Sequence, residues 1–257
     1  MSFTSDRTSI KQAFIGTSGF SYPHWGKEIF YPNHLKSRDY LSYYSRCFNT
    51  VELNNTFYRL PKEDTLNRWC EETPPGFVFA VKGSRFITHI RRLKEPEANI
   101  RIFLERISIL KQKLGPVLFQ FPPSLALSVE RLEDFLSFLR TQPIIPDLRV
   151  AIEIRHPSWM ISQVFKLLEG ANIALCLSDW STLPVQAPLT ADFVYVRRHG
   201  STSLYSSCYS SEMLSADAQK ITAWLREGRD VYVYFNNDAC GYAVENALYL
   251  KRQLSDC

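Results

Sequence analysis

Val150-Ala151-Ile152-Glu153-Ile154-Arg155 and Phe193-Val194-Tyr195-Val196-Arg197 are short apolar runs that end in charge. Six more runs of the same size and character flank them: Ala13-Phe14-Ile15-Gly16-Thr17-Ser18, Val51-Glu52-Leu53-Asn54, Phe77-Val78-Phe79-Ala80-Val81-Lys82, Val117-Leu118-Phe119-Gln120, Ile173-Ala174-Leu175-Cys176-Leu177-Ser178-Asp179 and Val231-Tyr232-Val233-Tyr234-Phe235-Asn236. Continuous apolar strands imply a parallel sheet covered on its outer face. Segments with helical spacing separate them, at 37–48, 62–72, 96–114, 128–140, 158–169, 211–227 and 241–254. Gly115, Gly170 and Gly228 are placed to end helices, and Ser128 to cap one. Eight strand–helix units in a chain of 257 residues predict an α/β fold, a closed (β/α)8 TIM-type barrel. The connection between the sixth and seventh strands carries Pro184 and Pro188, leaves no room for a full helix, and is expected to be irregular.

Composition bounds the rest. A chain of this length fits one large domain; residues 1–12 read as a polar tail without a signal core and 13–257 as a single TIM-barrel domain. No apolar stretch approaches the ~18 residues of a membrane span, so a cytoplasmic protein without a membrane partner is expected. The formal net charge is +4, which permits phosphate contact without demanding nucleic acid. The 6 cysteines, at 47, 70, 176, 208, 240 and 257, lack metal-type spacing, so neither a structural zinc nor a disulfide is expected. Phosphate-loop, dinucleotide, zinc-protease and serine-elbow motifs are absent from the sequence.

The polar strand ends carry the chemistry. Side chains two apart on a strand share a face, which groups Glu52 with Asn54, Glu153 with Arg155 and Arg197 with His199, while Lys82, Gln120, Asp179 and Asn236 each end a strand. Closing the barrel brings these groups to one mouth. Buried ionisable groups there must be paired, hydrogen-bonded or bound to a ligand. Two readings stand side by side: a site, or a closed structural ion-pair layer of Glu153, Arg155, Lys82 and Asp179. Aromatic residues after the strand ends, among them Tyr22, Trp25, Phe57, Tyr58, Trp159, Trp180, Tyr205 and Tyr209, suit stacking on a ligand or packing between loops.

Several stretches resemble the YecE-like proteins, the domain of unknown function 72. They are Gly16-Thr17-Ser18-Gly19-Phe20-Ser21-Tyr22 with Trp25, Phe30-Tyr31-Pro32, Thr50-Val51-Glu52-Leu53-Asn54 with Thr56-Phe57-Tyr58, Phe79-Ala80-Val81-Lys82 with Thr88-His89, Leu118-Phe119-Gln120-Phe121-Pro122-Pro123, Glu153-Ile154-Arg155-His156 with Ser158-Trp159, Tyr195-Val196-Arg197 with His199-Gly200, and Tyr234-Phe235-Asn236-Asn237-Asp238. The resemblance covers nearly the whole chain after the tail. It implies a TIM barrel, with fold analogy to endonuclease and sugar-isomerase barrels, and it brings no established activity. Arg198 departs from the pattern and is expected to face away from Arg197.

These residues point to an enzyme, hydrolase- or isomerase-like, acting on a phosphorylated or nucleotide-like small molecule. The expected catalytic residues are Glu52, Lys82, Glu153, Asp179 and His199, with Glu153 or Asp179 as general acid or base. Substrate binding is expected from Ser18, Tyr22, Trp25, Asn54, Gln120, Arg155, Arg197, Asn236, Asn237 and Asp238. A divalent metal at Glu153, Asp179 and His199 is weighed against no cofactor, and the second is preferred because lysine and arginine compete for the carboxylates. An oxyanion is expected near Arg197, His199 and the start of the last helix, so that Arg197→Ala weakens anion binding with the fold intact. A nucleic-acid-binding or repair protein of endonuclease type, and a non-catalytic ligand-binding barrel, are the alternatives. A concave mouth favours the small ligand and an open basic groove the nucleic acid.

Overall fold

Runs of Val, Ile and aromatic residues favour extended backbone that packs on both faces, and each of the eight runs forms a strand. The computed structural model describes residues 11–26, 28–180 and 187–255. The strands are β1 (Ala13–Thr17), β2 (Thr50–Leu53), β3 (Val78–Lys82), β4 (Leu114–Gln120), β5 (Val150–Glu153), β6 in two pieces (Ala174–Leu175 and Leu177–Ser178), β7 (Phe193–Arg198) and β8 (Asp230–Phe235). The helices are α1 (Tyr40–Cys47), α2 (Asn55–Tyr58), α3 (Glu63–Glu72), α4 (Glu97–Ile107), α5 (Val129–Thr141), α6 (Ser162–Gly170), α7 (Ser211–Arg226) and α8 (Tyr242–Ser255). Every ladder is parallel. β2, β3, β4, β5 and the first piece of β6 follow one another, and the second piece of β6 continues through β7 and β8 to β1. The sixth strand thus changes partners at Cys176, pairing Ala174 with Ala151 and Leu177 with Val196. A parallel bridge between Ser18 and Glu52 closes the ring. The fold is a TIM barrel.

The β1–β2 seam is fastened differently from the others. Asn49 Oδ1 accepts the Ile15 amide at 3.3 Å, and its Nδ2 donates to the Ala13 carbonyl at 3.1 Å. The Tyr44 hydroxyl accepts the Thr17 amide at 2.9 Å and donates to the Thr50 carbonyl at 3.1 Å. Gly16 permits this approach, since a Cβ there would lie 2.3 Å from the Thr50 carbonyl oxygen.

Large and small side chains fill the interior from opposite sides. Ala80, Ala151 and Ala174 face Phe14, Phe193, Tyr195, Tyr232 and Tyr234, all in one buried cluster. At the N-terminal end Arg149 donates to the Tyr232 hydroxyl at 2.8 Å and pairs with Asp230 at 2.8 Å. At the other end the inward positions turn polar, which is where the site begins.

Four local expectations are corrected. The segment 96–114 is not one helix: α4 gives way to a 3-10 segment at Ser108–Lys113, in which Lys111 is left-handed (φ 51°). Gly115 does not stop a helix; it lies in β4, where a Cβ would meet Val78 Cγ1 at 2.4 Å. Ser128 precedes α5 without a side-chain cap hydrogen bond. The segment 158–169 divides into a 3-10 turn, Pro157–Trp159, and α6, which includes Gly170. Between β6 and β7 the described residues form no helix, as Pro188 requires; Pro184 lies outside the described residues, as do residues 1–10 of the polar tail and Cys257. The five described cysteines are unpaired, and among the described residues no helix is long and apolar enough to cross a membrane.

Candidate active site

Strand parity sends one polar side chain from each strand end to the top of the barrel: Ser18, Glu52, Lys82, Gln120, Glu153, Ser178, Arg197 and Asn236. Arg197 is the hub. It is 1% exposed and joins two fully buried carboxylates, NH2 to Glu52 Oε1 at 2.8 Å and NH1 to Glu153 Oε2 at 2.7 Å. Glu52 also accepts Ser18 Oγ at 2.7 Å and the Tyr195 hydroxyl at 2.6 Å. Glu153 Oε1 further accepts Arg155 NH2 at 3.2 Å, Ser178 Oγ at 3.3 Å and His199 Nε2 at 2.8 Å.

These contacts decide protonation. Burial pushes both carboxyls up, but the guanidiniums and hydrogen bonds reverse it, leaving Glu52 below and Glu153 well below the ordinary value. Both are carboxylates at neutral pH. Burial lowers the His199 pKa against the pull of Glu153, so the ring is neutral. Its partners assign the tautomer: Nε2–H donates to Glu153, and Nδ1 accepts Asn236 Nδ2 at 3.0 Å.

Above this layer opens a cavity of about 400 Å³, lined by Lys82, Gln120, Arg155, Arg197, Asn54, Asn236 and a rim of Tyr22, Phe57, Tyr58, His89 and Tyr205. Lys82 is 9% exposed. Its Nζ donates to Gln120 Oε1 at 2.7 Å and stands 4.4 Å from the Phe57 ring centroid. Among the described residues no carboxylate forms an ion pair with it. Burial, then Arg197, lowers its pKa to about 7 against the attraction of Glu153 and Glu52. His89 sits on a π-helical turn, Phe86–Ile90, of the kind often found at functional sites. Its Nδ1 contacts Thr88 Oγ1 at 2.8 Å, and burial followed by Lys82 lowers its pKa to about 4, so it is neutral too. Arg155 lies over Trp180, its Cζ 3.8 Å from the ring centroid.

A cavity of about 420 Å³ lies beyond the wall formed by Tyr22 and Asn54, against Phe20, Leu41 and Trp69. Its acid Glu72 pairs with the exposed Arg68 at 3.5 Å. The buried cluster of Glu52, Lys82, Glu153, Arg155, Arg197 and His199 lies at the mouth, which makes the mouth the candidate site.

The family described as "Protein of unknown function DUF72" matches residues 14–256. The chain belongs to the DUF72 family. It is 26% identical over 265 residues to the UPF0759 protein YunF of Bacillus subtilis (strain 168), covering 91% of each. It is 30% identical to the UPF0759 protein YecE of Escherichia coli (strain K12) over 57% of this chain and 49% of that one. A DUF72 family protein of Thermotoga maritima MSB8 has the same fold, with a TM-score of 0.84 and 32% identity over 95% of this chain and 99% of that one.

Within this DUF72 barrel the sequence-predicted residues divide. Lys82, Gln120, Arg155, Arg197, Asn54, Asn236 and Tyr22 line the cavity. Glu52, Glu153, His199 and Ser18 form the buried layer directly beneath it. Asp179 does not join them. It follows the inward Ser178 and so points outward, where Oδ1 accepts the His199 amide at 2.7 Å and Oδ2 accepts the Tyr209 hydroxyl. The three residues weighed as a metal set, Glu153, Asp179 and His199, are therefore not gathered, and among the described residues no group of three His, Cys, Asp or Glu is placed to hold a metal.

Trp25 is fully buried, its Nε1 donating to the Asp238 carbonyl at 3.1 Å, and it supports the loop rather than a ligand. Asn237 is buried against Ser207 and Asn246 at 2.8 and 2.9 Å. The Asp238 carboxylate stands 3.4 Å from His24 near the start of the last helix, which is unsuitable for an oxyanion. Amides of the 200–203 loop are also taken: Thr202 and Ser203 donate to Ser207 Oγ at 3.0 and 3.1 Å. Arg197 is structural in this setting, so the expectation that Arg197→Ala leaves the fold intact is withdrawn. Arg198 faces outward to Asp217 on α7, as expected. Trp159 is buried with its Nε1 donating to the Leu125 carbonyl at 2.7 Å, a packing role.

Three residues are missing from the sequence-based site. Tyr195 and Ser178 share inward parity with Arg197 and Cys176, a signal present in the sequence. His89 depends on the π-turn after β3, which no spacing rule reports.

Proposed function

We propose that this DUF72 protein is an enzyme acting on a small phosphorylated or nucleotide-like anion, with Lys82 as the group that takes and returns a proton. The observation that supports this reading is Lys82 itself, an amine at a cavity floor without a carboxylate partner among the described residues and with a pKa of about 7. A general base works best when its pKa lies near the working pH. Charge counting gives the ligand its sign. Glu52 and Glu153 balance Arg155 and Arg197, and both histidines are neutral, so protonated Lys82 leaves one unmatched positive charge facing the cavity. Asn54 Oδ1, buried and without a donor among the described residues, adds an acceptor for a ligand hydroxyl or amine.

Anion binding should therefore draw a proton onto Lys82. Sulfate is the probe, because it does not titrate near neutrality. Calorimetry at about pH 8 in buffers of different ionisation enthalpy should show saturable binding with proton uptake, absent in Lys82→Met. No saturable binding, or equal uptake in the variant, refutes the reading. Turnover is tested by following a panel of sugar phosphates and nucleotides by phosphorus NMR; binding without turnover across the panel assigns the non-catalytic barrel instead. A nucleic acid end is the second reading, favoured by the exposed Tyr58 and Tyr205 at the rim, rings to which bases can stack. It requires single-stranded DNA binding that weakens steeply with salt.

A further inference from the structure

We propose that Lys82 is a covalent centre: its Nζ condenses with the carbonyl carbon of a small anionic aldehyde or ketone, forming an imine at the floor of the cavity. The inference rests on the anion-binding reading above and names its substrate class. An ammonium has three N–H donors and no acceptor. Lys82 Nζ makes one hydrogen bond, to Gln120 Oε1 at 2.7 Å, and its other side is the Phe57 ring, 4.4 Å to the centroid. Neither contact satisfies a full positive charge as a carboxylate would. Lys82 lines the cavity, the side from which a carbonyl carbon would approach the nitrogen.

The neighbours suit the product as well. Burial, followed by Arg197, disfavours a localised ammonium at Lys82 against the attraction of Glu153 and Glu52. An iminium carries the same positive charge as protonated lysine, but it arrives together with the anionic group of its own substrate. For a singly charged substrate the charge sum of the occupied site is then zero, and for a phosphate monoester it is negative. A neutral amine desolvated beside other cations is the usual activated form of a lysine nucleophile, and a pKa of about 7 keeps a large part of Lys82 in that form near neutrality.

The step balances with solvent protons. The Nζ lone pair forms the C–N bond while the carbonyl π pair moves to oxygen, which takes up a proton. Nitrogen loses one proton to solvent. The hydroxyl then departs with the C–O pair, taking up a second proton to leave as water, and the nitrogen lone pair closes the C=N bond. The sum is amine plus carbonyl plus one proton giving iminium plus water. No oxidant or reductant is needed.

The experiment uses the intact protein at about pH 7 with cyanoborohydride, two carbonyl probes and peptide mass mapping. Formaldehyde is uncharged and small; glycolaldehyde phosphate carries the anion. Lys82 should be modified by both ahead of the other lysines, by at least about tenfold in rate over their mean. Inorganic phosphate should slow the reaction with glycolaldehyde phosphate more than that with formaldehyde, since it competes for the anion site as well as drawing a proton onto Lys82, and Lys82→Arg should abolish the adduct at this peptide. If Lys82 is no faster than surface lysines with either probe, the covalent centre is overturned. Should phosphate and sulfate still bind saturably in that case, the anion site survives without it. If formaldehyde marks Lys82 first but glycolaldehyde phosphate does not, the amine is reactive and the anionic substrate class falls, while saturable sulfate binding decides the anion reading separately.

Discussion

Replacing Arg197 with methionine tests the buried hub. Arg197 is 1% exposed and holds Glu52 and Glu153, each fully buried, at 2.8 and 2.7 Å. Glu153 keeps Arg155 and His199 after the change, whereas Glu52 keeps only hydroxyls, from Ser18 and Tyr195. The deficit therefore falls on Glu52. Breaking a buried pair by removing one partner costs about 3–5 kcal/mol, and Arg197→Met should lower the unfolding free energy by about 4 kcal/mol at neutral pH. The pH dependence gives the mechanism. In the wild type both carboxyls lie below the ordinary value of 4.5, so their contribution is fully present above that value and is lost as pH falls through their folded values. In the variant, burial alone acts strongly on Glu52 and raises its pKa. That contribution is present in acid and lost as pH rises through the raised value. The stability gap between the two proteins should thus be widest near neutrality and narrow towards acid. Adding Glu52→Gln to Arg197→Met should return at least about 1 kcal/mol, because the orphaned charge is gone. Urea unfolding followed by circular dichroism across pH supplies the measurement. A gap below about 1 kcal/mol at neutral pH, or one that widens in acid, would show that Arg197 does not neutralise Glu52.

Two further outcomes are expected. Lys82 has a folded pKa of about 7 against an ordinary 10.5, so the wild type should gain stability as pH rises between those values, and Lys82→Met should lack that slope in urea titrations. Gly16→Ala should destabilise by about 1–3 kcal/mol, since its Cβ would sit 2.3 Å from the Thr50 carbonyl oxygen, while Gly170→Ala, with no atom within 4 Å, should be neutral or stabilising in the same assay.

Periodicity carries the barrel because buried parallel strands need apolar side chains on both faces. Each strand end is consequently marked by the first polar residue, and Glu52, Lys82, Gln120, Glu153 and Arg197 could be placed from that signal. The same signal misleads at β6. Both Ser178 and Asp179 are polar there, and only parity counted from Ala174 and Cys176 turns Ser178 inward. Trp25, Asn237 and Asp238 show another limit. Their residue types suit ligands and also suit bracing of loops, and the choice depends on long-range partners such as Trp25 Nε1 with the Asp238 carbonyl. His89 and Lys82 show a third. A lysine at a strand end reads as a cation; that it stands beside Phe57 and Gln120, without an ion pair among the described residues, is a property of packing.

The side-chain fastening between β1 and β2 makes barrel closure heritable in a way that a ladder is not. Backbone pairing survives almost any substitution except proline. Here, below the Ser18–Glu52 bridge, the seam depends on the identity of Tyr44 and Asn49, two residues remote in sequence from Lys82. Random mutation can therefore loosen the ring without touching the mouth, and it can vary the mouth while these two positions keep the ring shut. Below the Ser18–Glu52 bridge, selection for a closed barrel acts on residues that the mouth does not use.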